Sequence, residues 1–343
     1  MLQKEIIDKL NNNVNLTSEE CRKLCDSILD NKISKDGLVD ILTKLNNNGF
    51  GSDELSGFAQ SMRNFSVKVK TTHLVIDNCG TGGDQSSSFN ISTASSILAS
   101  SCGVKVAKHG NKSITSKSGS ADVLSELGIN INLKSEMLSA SLDKNNFAFM
   151  FAPLHHMAMK YVAEARKIIA PEKTIFNLLG PLTNPAGATR QMIGVFSQSV
   201  MYDMAEALIK LGVEKALVIH SNDGLDEVSL FKKTKILAIE NNNIKEEYFD
   251  PVKYFNYDDF TVKDLKANSP KESAEIILDI AQNKKKNIFR HIVSINSAFI
   301  LLLADMASDF ESALEICEEK IDNGSMINKI EQLREFTNKN QNA

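Results

Sequence analysis

The sequence has no run of apolar residues long enough to cross a membrane. Its longest such run, Ala298–Ala304, is far shorter than the roughly 20 residues that a spanning helix needs. The N-terminal residues alternate charged and apolar side chains at helical spacing, without the apolar centre of a secretory signal. We therefore expect a cytoplasmic protein that does not associate with membranes.

Cysteine is scarce, and its spacing excludes two common uses. The five cysteines include no Cys-x-x-Cys pair, so neither a disulfide framework nor a zinc site is indicated. Cys21 and Cys25 lie four residues apart on an apolar helical face, which favours packing in the core. We expect the thiols to be reduced.

An excess of positive charge is also absent. The 39 basic and 43 acidic side chains give a net charge of −4. Nucleic-acid-binding proteins are usually basic overall or carry a strong basic stripe. The balance therefore argues against a nucleic acid as partner.

The 343 residues are enough for two domains. Up to residue 65 the pattern is helical only. Thr17 and Glu20 have the spacing of a capping box, and apolar residues then repeat every three or four positions. Ser52 is the predicted cap of a later helix. Short helices with one apolar face each must pack against one another or against a partner chain.

After residue 70 short apolar runs alternate with helical patterns, the arrangement of parallel strands joined by crossover helices. We predict strands at 74–76, 104–107, 147–151, 192–196, 216–220 and 236–239. Several of these runs end in polar or glycine-rich residues. In open α/β sheets ligands bind beyond the carboxyl ends of the strands, so these loops are expected to converge on one site.

The first such loop contains Gly80-Thr81-Gly82-Gly83-Asp84, followed by Asn90 and Ser92 at the start of a helix. Clustered glycines let successive N–H groups turn towards an anion. Asn90 or Ser92 can cap the helix and direct its N-terminal N–H groups to the same point. The two common nucleotide motifs, G-x-x-x-x-G-K-[ST] and G-x-G-x-x-G, are absent. The loop therefore predicts a phosphate site of another kind.

Two further loops fit a polyanionic substrate. Residues 108–120 hold three lysines and five hydroxyl residues, which suits a mobile loop that closes over phosphates. Asp226 and Glu227 follow another strand. Mg²⁺ uses one or two carboxylates together with substrate phosphates and waters. Beside a phosphate site, this pair predicts a magnesium site.

A fourth element places two histidines and an arginine after a strand. His155 and His156 are adjacent, and adjacent residues on a helix do not face one direction. A structural or substrate-contacting role is therefore favoured over metal ligation. Arg166 offers a planar fork that suits a carboxylate.

Together these blocks resemble the anthranilate phosphoribosyltransferases. The resemblance rests on GTGGD with FNIST, KHGN with SKSGSADVLSELG, FAP with a following histidine, TIFNLLGPLTNPA, and HSNDGLDEVS, in that order along the chain. It covers essentially the whole sequence. It implies transfer of the phosphoribosyl group of phosphoribosyl pyrophosphate to the amine of anthranilate, the second step of tryptophan biosynthesis.

The resemblance also implies an architecture. We expect a helical domain of residues 1–70 with 162–190, and an α/β domain of residues 71–161 with 191–343 that has a mostly parallel sheet flanked by helices. The helical domain would form the contact of a homodimer.

Site residues follow by position in the motifs. Contacts to phosphoribosyl pyrophosphate are expected from Gly80, Thr81, Gly82, Gly83, Asp84, Ser88, Asn90, Ile91, Ser92, Thr93, Lys108, His109, Gly110, Asn111, Lys112, Ser113, Ile114, Thr115, Ser116 and Ser120. Contacts to anthranilate are expected from Gly80, Asn111, His156 and Arg166. Mg²⁺ would be held by Ser92, Asp226 and Glu227. No residue is assigned as a general acid or base, because an aromatic amine is already neutral at pH 7.

The sequence departs from the usual family pattern at Gln85, Ser88, Lys112 and Met157, and has one extra residue between Arg166 and Thr174. None of these changes removes a donor or a carboxylate assigned above. Two alternatives stay open. A pyrimidine nucleoside phosphorylase has a similar fold but uses phosphate as nucleophile, and a non-enzymatic relative could bind nucleic acid.

Overall fold

The computed structural model describes residues 2–84, 86–113, 118–284 and 286–340. Four helices come first: α1 (Leu2–Asn11), α2 (Ser18–Leu29), α3 (Lys35–Asn48) and α4 (Ser52–Phe65). The predicted capping box is confirmed, because Glu20 N–H donates to Thr17 Oγ1 and Thr17 N–H donates to the Glu20 carboxylate. The prediction for Ser52 is wrong. Gly51 is the cap residue of α4 and donates its N–H to Glu54, while the Ser52 hydroxyl donates to Glu206 at 2.8 Å.

The described residues after α4 build a seven-stranded sheet in the order β3-β2-β1-β4-β5-β6-β7. β1 to β5 are parallel to one another, while β6 pairs antiparallel with both β5 and β7. The predicted mostly parallel α/β sheet is therefore confirmed. The strands are β1 (Ile76–Gly80), β2 (Val106–Gly110), β3 (Phe147–Phe151), β4 (Arg190–Gly194), β5 (Lys215–Ser221), β6 (Thr234–Glu240) and β7 (Asn243–Phe249).

Further helices connect or follow the strands. Between the strands lie α5 (Ile91–Ser101), α6 (Ser120–Glu126), α7 (Ser135–Asn145), α8 (Ala152–His155), α9 (Lys160–Ile169) and α10 (Met201–Lys210). After the sheet come α11 (Pro270–Ala281), α12 (Ile288–Leu303), α13 (Phe310–Asp322) and α14 (Ser325–Lys339). In the described part of the chain no helix combines the length and apolarity that a membrane span requires.

Two large apolar clusters cover the sheet. One joins α5, α6 and α11 to α14 with strand residues such as Ile76 and Phe149. The other joins α1 to α4 with α10, two residues of α9 and the segment 175–182. Phe58 of α4 meets Phe176 of that segment edge to face, with ring centroids 5.6 Å apart. Cys21 and Cys25 are fully buried in the second cluster, as predicted.

The predicted strands differ from the structure in their bounds and in their number, and β2 begins two residues later than predicted while β4 begins two residues earlier. β7 was missed, because most of its side chains are exposed and it has no apolar run. β1 begins two residues later than predicted and includes the buried polar residues Asp77 and Asn78. Buried polar groups are tolerated when they are hydrogen-bonded. Here Asp77 accepts the His109 N–H at 3.0 Å, and the Asn78 amide donates to the Ser92 carbonyl.

Candidate functional site

The glycine loop begins where β1 ends, beside the carboxylate of Asp226. A Cβ on Gly80 would lie 2.4 Å from Asp226 Oδ2, so the close approach requires a glycine. Gly82 and Gly83 have φ of +65° and +82°, a backbone region that favours glycine. The Gly82 N–H donates to Asp226 at 3.2 Å. The loop is therefore shaped around the carboxylate of Asp226.

The N-terminus of α5 faces the same place. Asn90 is its cap, and the Asn90 side chain accepts the Thr93 N–H at 3.0 Å, which settles the choice between Asn90 and Ser92. Ser92 lies in the first turn. Ile91 and Thr93 are buried in the core, and their N–H groups donate to the Phe89 carbonyl and to the Asn90 side chain, so the predicted contacts of these two residues with phosphate have no free donor in this structure. What α5 offers a phosphate is the partial positive charge of its N-terminal end.

Lys108 is a buried cation at the end of β2. Its side chain is 1% exposed, and Nζ donates to the Asn78 carbonyl and, at 3.2 Å, to Ser92 Oγ. Burial lowers the pKa of Lys108. A buried ammonium is costly unless it is paired, and Asp77, Asp226 and Glu227 offset that cost through their charges. The site thus holds a fixed cation beside the first turn of α5.

The two predicted metal carboxylates lie opposite this cation in a loop after β5. Glu227 accepts a hydrogen bond from the Ser92 N–H, and burial together with Asp226 raises the pKa of Glu227. Burial raises the pKa of Asp226 as well, and the neighbouring Asp84 adds to that shift. A Cβ on Gly194 would lie 1.6 Å from the Asp226 carbonyl oxygen. The glycine at the end of β4 therefore lets this loop cross the strand.

These residues fit Mg²⁺, although they form no complete metal cage. Among the described residues no three His, Cys, Asp or Glu side chains are grouped as metal ligands. Mg²⁺ needs fewer protein ligands than that, since it keeps waters and binds substrate phosphates. Burial and then the charge of Asp84 raise the pKa of the half-buried Asp226, and burial and then the charge of Asp226 raise the pKa of Glu227. A divalent cation would remove that repulsion, with Ser92 Oγ as a neutral oxygen beside it.

The second loop is held at both described ends. Ser120 Oγ donates to the Asn111 carbonyl at 3.3 Å, and the Ser113 N–H donates to Asp122 at 2.9 Å. The Asn90 amide donates to the Ser118 carbonyl at 3.1 Å, which connects this loop with the start of α5. The Asn111 and Lys112 side chains are exposed. Ile114, Thr115 and Ser116 lie outside the described residues.

The remaining predicted contacts line the glycine loop or the end of β2. Thr81 Oγ1 accepts the Phe196 N–H at 3.1 Å. Ser88 forms an isolated bridge with Lys266, and the Ser86 hydroxyl donates to Ser88 Oγ. A Cβ on Gly110 would lie 2.3 Å from Ser120 Oγ, so glycine is required there.

A buried polar network that the sequence did not reveal supports this end of the sheet. Asn184 donates to Asp77 Oδ2 at 2.7 Å and to the Ala107 carbonyl at 2.8 Å. His109 Nδ1 is 3.0 Å from the Gly180 carbonyl, and the His109 N–H donates to Asp77, so the ring and the backbone N–H of this predicted contact residue are both engaged within the protein. The network attaches the segment 174–186 to β1 and β2. Its one sequence signal was the polar pair Asp77-Asn78 on a buried strand.

Two of the four predicted anthranilate residues, His156 and Arg166, lie beside α8 and on α9, while Gly80 ends β1 and Asn111 follows β2. His155 ends α8 and contacts the Val67 carbonyl at 2.7 Å. His156 is packed against His109, with ring centroids 5.1 Å apart. The Arg166 side chain on α9 is half-buried, and burial lowers the pKa of Arg166. Within the described ranges no carboxylate pairs with Arg166, so its guanidinium is available to a bound acid.

The packed histidines predict acid sensitivity. Burial, with a contribution from His156, lowers the pKa of His109 to about 3, and burial lowers the pKa of His156 to about 4. Below pH 6.5, the ordinary pKa of histidine, these two histidines bind protons in the unfolded chain but stay neutral in the folded protein. Their contribution to the free energy of unfolding is therefore highest above pH 6.5 and decreases as the pH falls towards 4. The loss at pH 5 is about 2 kcal/mol for each ring.

Urea denaturation at pH 7 and pH 5 tests this. In His156→Gln the drop in unfolding free energy between the two values should be about 2 kcal/mol smaller than in the unmodified chain. His73→Gln is the control, because His73 is exposed at the surface beside Asp143. An equal drop in all three proteins would show that His156 is not held neutral.

The chain is similar to known proteins over most of its length. The model of the glycosyl transferase family a/b domain matches residues 72–327, and that of the family's helical bundle domain matches residues 4–66. The anthranilate phosphoribosyltransferase of Pelotomaculum thermopropionicum is 39% identical over 336 residues, covering 97% of this chain and 96% of that protein. That of Methanobrevibacter smithii is 40% identical over 335 residues, with 98% and 99% covered.

Solved structures share the fold. The crystal structure of anthranilate phosphoribosyltransferase from Thermus thermophilus is 28% identical, with a TM-score of 0.90 over 97% of this chain and 99% of that one. The Saccharomyces cerevisiae enzyme in complex with phosphoribosyl pyrophosphate and Mg is 24% identical, with a TM-score of 0.88 over 98% of each chain. At 24% identity the second match shows a shared fold and nothing more. Sequence and structure together show that this chain belongs to the anthranilate phosphoribosyltransferase family.

Proposed function

We propose that this chain binds phosphoribosyl pyrophosphate with Mg²⁺ between the glycine loop, the start of α5 and the loop of Asp226 and Glu227. There it transfers the phosphoribosyl group to the amine of anthranilate, giving N-(5-phosphoribosyl)anthranilate and pyrophosphate, as its family membership indicates. The observation that carries the proposal is the meeting of Lys108, Ser92, Gly82 and the two carboxylates at one end of the parallel sheet.

The residues divide the work by charge. Lys108, the glycine loop and the positive N-terminal end of α5 stabilise the pyrophosphate that departs from the anomeric carbon. Asp226 and Glu227 would hold Mg²⁺, which would supply further neutralisation of the same charge. Glycosyl transfers pass through oxocarbenium-like states, so anions near the ribose are an advantage. The fold is shared with the Saccharomyces cerevisiae enzyme in complex with phosphoribosyl pyrophosphate and Mg.

Anthranilate is assigned to the side of Arg166. Arg166 would pair with its carboxylate, while Asn111 and His156 would set the plane of its ring. Such orientation would hold the anthranilate amine next to the anomeric carbon, so that the attack no longer depends on a chance collision. The amine is already neutral, so no base is assigned. The exposed Asn111 side chain can adjust to the ligand.

A fluorescence assay tests the proposal. The loss of anthranilate fluorescence should require both phosphoribosyl pyrophosphate and Mg²⁺, and chelation of the metal should stop it. A parallel reaction with thymidine and phosphate tests the nucleoside phosphorylase alternative. Turnover of thymidine without turnover of anthranilate would overturn the assignment.

The domain division and the homodimer stay predictions. The joining of residues 162–190 to the N-terminal helices is supported by the apolar cluster that Val162 and Ile175 share with α1 to α4. The cytoplasmic location also stays a prediction. Val14 and Phe65 are exposed apolar residues of the N-terminal part, where a partner chain would bury them.

Light scattering tests the dimer. The unmodified protein should give twice the chain mass of 37.8 kDa at micromolar concentration, and Phe65→Glu should shift the mass towards the monomer because it would bury an unpaired charge. Val252→Glu is the control, since Val252 is 67% exposed and belongs to the α/β part. A monomeric unmodified protein would refute the dimer.

A further inference from the structure

Lys173 lies against the glycine loop, although no motif of the sequence singled it out. A Cβ on Gly83 would lie 2.9 Å from Lys173 Nζ. The same ammonium is 3.5 Å from the ring centroid of Phe196. A cation from the segment before Thr174 therefore reaches the loop that the proposed function assigns to pyrophosphate.

The backbone that presents Lys173 is fixed from two sides. Asn46 of α3 donates its side-chain amide to the Lys173 carbonyl at 2.8 Å. The next residue, Thr174, donates its N–H to Asn177 at 2.9 Å and so begins a tight helical turn. The backbone of Lys173 is thus held in a defined position next to the glycine loop.

The aromatic ring beside the ammonium is attached to the glycine loop as well. Phe196 donates its N–H to Thr81 Oγ1 at 3.1 Å, and Thr81 donates its own N–H to the Gly194 carbonyl at 2.8 Å. An aromatic face attracts a cation without neutralising it. Phe196 therefore directs the charge of Lys173 to the loop while leaving that charge available.

No carboxylate of the described chain pairs with Lys173, even though Asp84 follows Gly83 directly. The side chain is exposed, so its charge costs nothing in the free protein. Gly82 and Gly83 both have positive φ, a backbone form found in anion-binding loops, and the Gly82 N–H itself donates to Asp226. A cation adjacent to such a loop suits a phosphoryl group.

We propose that Lys173 is a second phosphate-binding cation, which donates to a phosphoryl oxygen of the pyrophosphate group held at Gly82 and Gly83. It complements Lys108, which is buried below the first turn of α5. The inference rests on the proposed function, because it assigns a new residue to the same site. Bound pyrophosphate would then contact both the segment that carries Lys173 and the glycine loop at the end of β1.

Isothermal titration with inorganic pyrophosphate and excess Mg²⁺ tests the inference without turnover. Lys173→Met keeps a stem that can pack on Phe196 but removes the charge, and it should weaken binding roughly threefold to tenfold. Lys173→Arg should bind within about twofold of the unmodified chain, since it keeps the cation. Lys160→Met is the matched control, because Lys160 is also exposed and lies 4.9 Å from the ring of Tyr161.

Unchanged pyrophosphate affinity in Lys173→Met would overturn the inference, as would an equal loss in Lys160→Met. Michaelis constants give a second readout. The constant for phosphoribosyl pyrophosphate should rise in Lys173→Met, whereas a rise for anthranilate alone would assign the lysine to the carboxylate instead. If the unmodified chain bound no pyrophosphate and showed no turnover, the proposed function itself would fail. A normal melting temperature for each variant verifies the fold.

Discussion

Replacing Asp226 by Asn and Glu227 by Gln is expected to reduce turnover by about 10²–10³-fold, the effect of removing a main electrostatic stabiliser of a transition state. The amides keep the shape of the loop that crosses Gly194 but cannot neutralise a divalent cation. The concentration of Mg²⁺ needed for half-maximal rate should rise as well. Activity measured across a magnesium titration gives both quantities.

The matched control for this pair is Asp258→Asn with Asp259→Asn, two adjacent carboxylates that are exposed. That variant should keep its rate and its magnesium dependence. Circular dichroism should show that both double variants are folded, because neither change alters side-chain volume by much. A magnesium titration that is identical in the Asp226/Glu227 variant and the unmodified enzyme would remove these residues from the metal site.

Arg166→Ala is expected to raise the Michaelis constant for anthranilate by about one to two decades. A charge-assisted hydrogen bond to a carboxylate is worth roughly 1.5–3 kcal/mol, and the half-buried guanidinium has no carboxylate partner in the described chain. The constant for phosphoribosyl pyrophosphate should change much less. Arg166→Lys should recover part of the loss, because an ammonium cannot reproduce the two-pronged geometry.

The exposed Lys167 is next along α9, and Lys167→Ala is the control for Arg166. Its constants should stay unchanged. A rise for anthranilate in Lys167→Ala but not in Arg166→Ala would show that the extra residue before Thr174 has displaced the alignment. If both constants rose equally in Arg166→Ala, the arginine would shape the shared site rather than select one substrate.

The convergence of the loops could be predicted from the sequence because it follows from the direction of the strands. Gly80, Lys108 and Asp226 come from distant parts of the chain, but each lies in or after the carboxyl-terminal end of a parallel strand. The cap of α5 was predicted as one of two residues, since both Asn90 and Ser92 have cap chemistry.

What the sequence could not reveal depends on contacts between distant segments. Asn184 and Asp77 read as ordinary polar residues until the fold places the amide 2.7 Å from the carboxylate. Lys173 lies in an irregular segment without periodicity, so no pattern connects it with Gly83. β7 escaped prediction because an exposed edge strand of charged residues lacks the apolar alternation that marks a strand.

The apolar cluster shared by α1 to α4 and the segment 175–182 has a consequence for biosynthesis. A ribosome adds about 5–20 residues per second, so the N-terminal helices leave it several seconds before Ile175 and Leu179 exist. Until then their apolar stripes have no native partner from the rest of the chain. Contacts between segments so distant in sequence also slow folding. The chain is therefore most prone to aggregation while only its N-terminal part has been synthesised. At that point a chaperone would find the most exposed apolar surface to bind.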